Sequence, residues 1–134
     1  MLIRRLLSAV GVCLCVVAAT SAQGAQLIMF HSPLCAWCEA WELDVGLIYS
    51  KTAEGRAAPL RRLDIDERRP AELYILESVV YTPIFVLVDD RREVGRIVGY
   101  PDESHFWGLL GLLLEELHPR RATASRITAW PKQR

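Results

Sequence analysis

No charge of one sign dominates this chain. Over 134 residues, 16 Lys and Arg balance 16 Asp and Glu for a formal net charge of zero, which excludes a supercharged nucleic-acid binder and a disordered polyelectrolyte. Internal repeats and low-complexity stretches are absent, and the length bounds the chain at one small domain. No apolar run reaches the roughly 20 residues that a membrane-spanning helix needs; the longest, Leu6 to Ala19, has 14. Metal ligands are scarce too, with three His and four Cys. What remains is a chain whose hydrophobic fraction of 51% lies slightly above the usual globular value.

Much of that excess sits at the N-terminus. Met1 to Arg5 is basic, Leu6 to Ala19 is apolar, and Thr20 to Ala25 is small and polar, which is the pattern of a secretory signal. Cleavage after Ala22 or after Gly24 satisfies the small-residue rule. The competing reading, an uncleaved membrane anchor, is disfavoured by the short apolar core. Setting residues 1–24 aside removes Arg4, Arg5, Cys13 and Cys15, leaving 14 basic against 16 acidic side chains, net −2, and two cysteines. Export places those two thiols in an oxidising compartment, the periplasm, where disulfide chemistry is available.

The apolar period then switches in a regular order. Gln26 to His31 is an apolar run of strand length closed by Ser32-Pro33. Trp37, Ala40, Trp41, Val45 and Ile48 recur at helical spacing, predicting a helix from Ala36 to about Tyr49, with Gly55 and Pro59 marking its exit. Leu60 to Ile65 alternates as a half-buried strand does. Pro70 opens a predicted helix through about Ser78. Ile84 to Val88 reads as a strand buried on both faces, and the polar turn from Asp89 to Arg92 leads into a strand from Glu93 to Val98. Asp102 caps a last helix carrying Phe106, Leu109, Leu110, Leu113, Leu114 and Leu117 on one broad face. The order β-α-β-α-β-β-α predicts an α/β fold, a small mixed sheet with flanking helices. The domain is expected over residues 25–118, followed by a basic tail, 119–134, with five cationic and no acidic side chains. That tail reads as solvated and flexible, or as a docking arm with Trp130 as its anchor.

Chemistry concentrates at Cys35-Ala36-Trp37-Cys38. A cysteine at a helix start meets unpaired backbone donors and the positive end of the macrodipole, which favour its thiolate, so Cys35 is expected to be the nucleophile. Three residues on, Cys38 returns to the same face within disulfide reach. One exposed attacker with a nearby resolving thiol is what thiol-disulfide exchange needs. A CxxC also forms half of a zinc site. The exported chain has no third cysteine, but His31, His105 and His118 remain, and His31 would give a three-ligand copper or zinc site with Cys35 and Cys38. A purely structural disulfide would close a loop too short to stabilise much. A metal-binding module and a redox-inert docking adaptor therefore stand beside the oxidoreductase reading.

A strand, a CxxC at a helix start, a second βα unit and Thr82-Pro83 before a buried strand and hairpin together resemble the thioredoxin family of thiol-disulfide oxidoreductases over about residues 26 to 118. The resemblance implies the minimal thioredoxin fold, catalytic Cys35 and Cys38, a cis-proline at Pro83 facing the disulfide, and a substrate groove shaped by Thr82, Pro83 and Gly99. Thr82 would offer its free backbone groups to an extended partner segment, a form of strand addition. Trp37, expected exposed between the cysteines, is assigned to substrate contact. No cofactor and no metal is implied. Two features depart from the family. The extra N-terminal strand and helix of larger thioredoxins are missing, and Met29 stands where they carry a buried acid, leaving Glu39 or Glu42 to act through water.

The stretches His31 to Trp41, Lys51 to Arg62 and Gly95 to Pro101 are similar, more narrowly, to periplasmic thioredoxins of bacterial sulfur-oxidation clusters. This similarity implies a reductant that keeps a sulfur-carrier protein's cysteine free of unproductive disulfides, with a membrane electron-transfer protein as its donor, and the protein is expected to be a monomer. Ala36-Trp37 lacks the histidine of strong oxidants, in keeping with a reductant or an isomerase. Trp41, Phe85 and Phe106 are expected in the core, Asp64 and Asp66 at the surface, and Tyr100 with Trp107 as a candidate docking pair. Residues 25–118 carry nine basic against 16 acidic side chains, about −7, which suits a partner with a basic face or the chain's own tail.

Overall fold

A computed structural model describes residues 24–76, 78–120 and 123. The expected signal segment falls outside them except for Gly24, as does most of the basic tail, including Trp130. Four strands form one mixed sheet in the order β2-β1-β3-β4: β1 (Gln26–His31), β2 (Leu60–Asp64), β3 (Ile84–Asp89) and β4 (Arg92–Val98). The parallel pair β1 and β2 is joined by the helical crossover that parallel strands require. β1 and β3 pair antiparallel, as do β3 and β4. The hairpin turns on Asp90 and Arg91, both at positive φ (47° and 59°), the backbone that tight two-residue hairpins demand.

The two central strands are apolar from Leu27 to Phe30 and from Ile84 to Val88 because both of their faces are covered there. On one face Leu27, Met29, Phe85, Leu87 and Ile97 meet Trp41, Val45, Tyr49, Phe106 and Leu110. Trp41 is the hub, with ring centroids 5.0 Å from Phe85 and 5.4 Å from Phe106. On the other face Ile28, Phe30, Ile84, Val86 and Val88 lie under Leu73 and Leu76.

The predicted first helix is present as a continuous run: α1 (Ala36–Trp41), a π-helical segment (Glu42–Gly46) and α2 (Leu47–Tyr49). A short α3 (Ala53–Ala57) follows, where the sequence suggested only an exit. Thr52 caps it, its hydroxyl oxygen accepting from the Gly55 N–H at 3.0 Å. α4 (Glu103–Glu115) is capped by Asp102 as expected, its carboxylate accepting from the His105 N–H at 2.8 Å.

One element is shorter than predicted. Among the described residues between Pro70 and Ser78, only Ala71–Leu73 is helical, as a single 3-10 turn. Leu73 and Leu76 point inward while Tyr74 and Ile75 are exposed, an i, i+3 spacing that one tight turn satisfies. The β-branched pair Val79 and Val80 favours extended chain beyond it. Side chains supply much of what a helix would have supplied. Arg69 donates to the Leu76 carbonyl at 3.3 Å and lies over the Phe30 ring, Arg68 reaches the Tyr74 hydroxyl, and Arg61 pairs with Glu72.

Candidate functional site

Register brings three irregular segments to one end of the sheet. Phe30 pairs with Ile84, and Ile84 pairs with Val98. The chain leaving β1 toward Cys35, the chain entering β3 through Thr82-Pro83, and the chain leaving β4 at Gly99 therefore emerge side by side. The Gly99 N–H donates to the Pro83 carbonyl at 2.8 Å, tying two of them together.

Cys35 and Cys38 form a disulfide with their Cα atoms 5.2 Å apart. Cys35 is the N-cap of α1, in extended backbone, and its Sγ accepts from the Cys38 N–H at 3.1 Å. Its carbonyl accepts from the N–H groups of Cys38 and Glu39. The two sulfurs differ in access, since Cys35 is half-buried and Cys38 is buried against the core. That asymmetry suits one outer and one inner thiol.

The remaining residues singled out in the sequence distribute unevenly. Trp37 is 61% exposed beside the disulfide. The Thr82–Pro83 peptide bond is cis, with Pro83 buried and Thr82 half-buried. Gly99 has φ of 80°, and nothing lies within 4 Å of where its Cβ would be, so the surface next to Pro83 stays open. Tyr100 does not line a docking surface. It is buried, and its hydroxyl donates to Asp44 at 2.9 Å. Trp107 stacks on Tyr49 and donates to Glu103. Asp64 accepts from the Asp66 N–H and so shapes the turn after β2.

A cleft of about 240 Å³ opens beside the disulfide, lined in part by Met29, His31, Cys38, Glu39 and Glu42. Glu42 is held there by a two-pronged pair with Arg62, at 2.5 and 2.7 Å. His31 is near the cysteines, yet among the described residues no group of three or more His, Cys, Asp or Glu side chains is placed to hold a metal ion. The sequence reading missed a belt of exposed apolar side chains on the converging segments: Leu34 (97% exposed), Val80, Tyr81 and Val98. Position beside Cys35, Thr82-Pro83 and Gly99 is the signal that could have found them.

No family model matches the chain, and no curated protein does. Solved structures do. The crystal structure of the reduced periplasmic thioredoxin SoxS from Paracoccus pantotrophus is 39% identical, with a TM-score of 0.67, covering 69% of this chain and 98% of that one. A thioredoxin from Malassezia sympodialis shares the fold at 19% identity and a TM-score of 0.53, covering 69% of this chain and 77% of that one.

Proposed function

The chain belongs to the thioredoxin family and is a thiol-disulfide oxidoreductase, and from that premise we propose that it is an exported, periplasmic reductant of protein disulfides. The observation that carries this reading is the unequal cysteine pair at the start of α1, at the sheet end where Thr82-Pro83 and Gly99 also emerge.

In the proposed cycle the Cys35 thiolate attacks one sulfur of a partner disulfide. The partner's S–S bond breaks, a Cys35–partner disulfide forms, and the departing partner sulfur takes up a proton. Cys38 then gives up its proton and attacks the Cys35 sulfur, releasing the second partner sulfur as a thiol and leaving the Cys35–Cys38 disulfide. Two electrons pass to the partner. A donor dithiol returns them, in this proposal from a membrane electron-transfer protein. Trp37, Thr82, Pro83 and Gly99 form the surface on which the partner segment lies, with Thr82 supplying backbone groups for strand addition.

The similarity to periplasmic thioredoxins of sulfur-oxidation clusters supports a sulfur-carrier protein as the partner, its cysteine kept free of blocking disulfides. Residues 1–24 act as the export signal, 25–118 as the working domain and 119–134 as a basic tail, and the protein works as a monomer. Cys38→Ser protein should trap mixed disulfides with exported proteins, and wild type should reduce the disulfides of insulin. Failure of both sinks the proposal. A potential near about −270 mV for the cysteine couple supports a reductant, and one near about −120 mV an oxidant.

A further inference from the structure

The hairpin contains a bulge with an effect on the face opposite the disulfide helix. Leu87 pairs with Gly95 but Val88 pairs with Glu93, so Val94 is an extra residue in β4. Along a regular strand, residues three apart point to opposite faces. The inserted residue cancels that alternation and puts Glu93 and Arg96 on one face, the face of Val86 and Val88. There they form a fork: Arg96 Nε and Nη2 donate to the two Glu93 carboxylate oxygens at 2.5 and 2.6 Å. The side chains are only 20% and 22% exposed, so the pair is better shielded from solvent than an ordinary surface ion pair.

Holding the guanidinium in a fork fixes its plane and leaves Nη1 aimed elsewhere. Nη1 donates to the Ser78 carbonyl at 3.3 Å. Ser78 is exposed and begins the irregular chain that runs through Val80 and Tyr81 to Thr82-Pro83, so this hydrogen bond from Arg96 ties the start of that chain to β4. Val79, packed against the second core cluster, is the neighbouring anchor.

We propose that Arg96, oriented by Glu93 across the bulge, is a positioning residue that sets the height of the Thr82 loop over the Cys35–Cys38 disulfide. It touches no reacting atom. Its effect is confined to partners that lie on the loop, while a small disulfide that reaches Cys35 directly does not depend on it. The proposal rests on the oxidoreductase reading of the site.

The test compares two substrates of the reduced full-length mature protein: insulin, whose disulfides must be presented by a chain segment, and dithiodipyridine, which has none. Arg96→Met should lower kcat/KM on insulin by roughly tenfold to a hundredfold, the size of loss that misplacement by about an ångström causes. Its rate with dithiodipyridine and its cysteine potential should be unchanged. Glu93→Gln should shift the insulin rate in the same direction, and Arg96→Lys should fail to restore it, because an ammonium cannot make the fork. Unchanged insulin kinetics in folded Arg96→Met overturns the proposal, and so does an equal loss on both substrates. Wild type inert toward both substrates would instead overturn the oxidoreductase reading itself.

Discussion

The Cys38 backbone N–H points at the Cys35 sulfur, 3.1 Å away. A donor aimed at one sulfur of the pair does not treat the two cysteines alike. Once the disulfide is reduced, it stabilises negative charge on Cys35 while Cys38 stays in the core.

Reduced protein should therefore be alkylated at Cys35 well before Cys38 at neutral pH. Timed iodoacetamide labelling followed by peptide mass spectrometry reads both. Equal labelling of the two would contradict the assigned roles.

Gly99 occupies a left-handed backbone region with open space around it. Gly99→Ala should cost about 1–2 kcal/mol of stability from backbone strain alone, measured by urea unfolding. It should also slow reduction of insulin, since the new methyl group fills space that Gly99 leaves open. A neutral result in both assays would remove Gly99 from the partner surface.

Gly55 presents a different constraint. A Cβ there would lie 1.9 Å from the Tyr49 carbonyl oxygen, and a backbone atom at the end of α2 cannot step aside as a side chain can. Gly55→Ala should destabilise by about 3 kcal/mol or more while leaving the redox potential of any folded fraction unchanged. A thermal melt within a few degrees of wild type would show that α3 moves freely.

Alkaline pH should unfold the protein through two buried phenols. Burial, with the charge of Glu54 adding to it, pushes the Tyr49 hydroxyl well above its ordinary 10.0. Burial and the hydrogen bond to Asp44 do the same for Tyr100. Because the folded protein holds these protons more tightly than the unfolded chain, the stability they contribute is complete below pH 10 and is lost as pH rises beyond it. Urea midpoints measured across that range should fall, and the fall should flatten in a Tyr49→Phe, Tyr100→Phe double variant. The same slope in both proteins would assign alkaline unfolding to other groups.

Much of the fold was legible because its signals are local. The continuous apolar run Ile84 to Val88 can be little other than a central strand, and Cys35 to Cys38 falls where a strand period gives way to a helix period. The cap at Asp102 followed from one residue type in one place. What escaped the sequence depends on contacts across the fold. The stretch from Pro70 to Ser78 has a helix-like start, yet Leu73 and Leu76 need only one turn to reach Phe30 and Val86, and arginines from other elements satisfy the rest. The bulge at Val94 changes which side chains share a face, and nothing in the residues from Arg92 to Val98 announces it. Tyr100 looked like a surface aromatic until Asp44, 56 positions away, supplied its hydrogen-bond partner.

The two faces of the sheet are roofed by different materials. Over the disulfide side lies helix whose amides are locked in a cooperative ladder. Over the other lies chain pinned point by point by Arg61, Arg68, Arg69 and Arg96. Such a roof opens in pieces, at a free energy below that of global unfolding, and its far end is the strip that leads into Thr82. The cysteines thus sit on the half of the molecule roofed by a continuous helical run, and the chain leading to Thr82 on the half whose position depends on a few separate side-chain contacts.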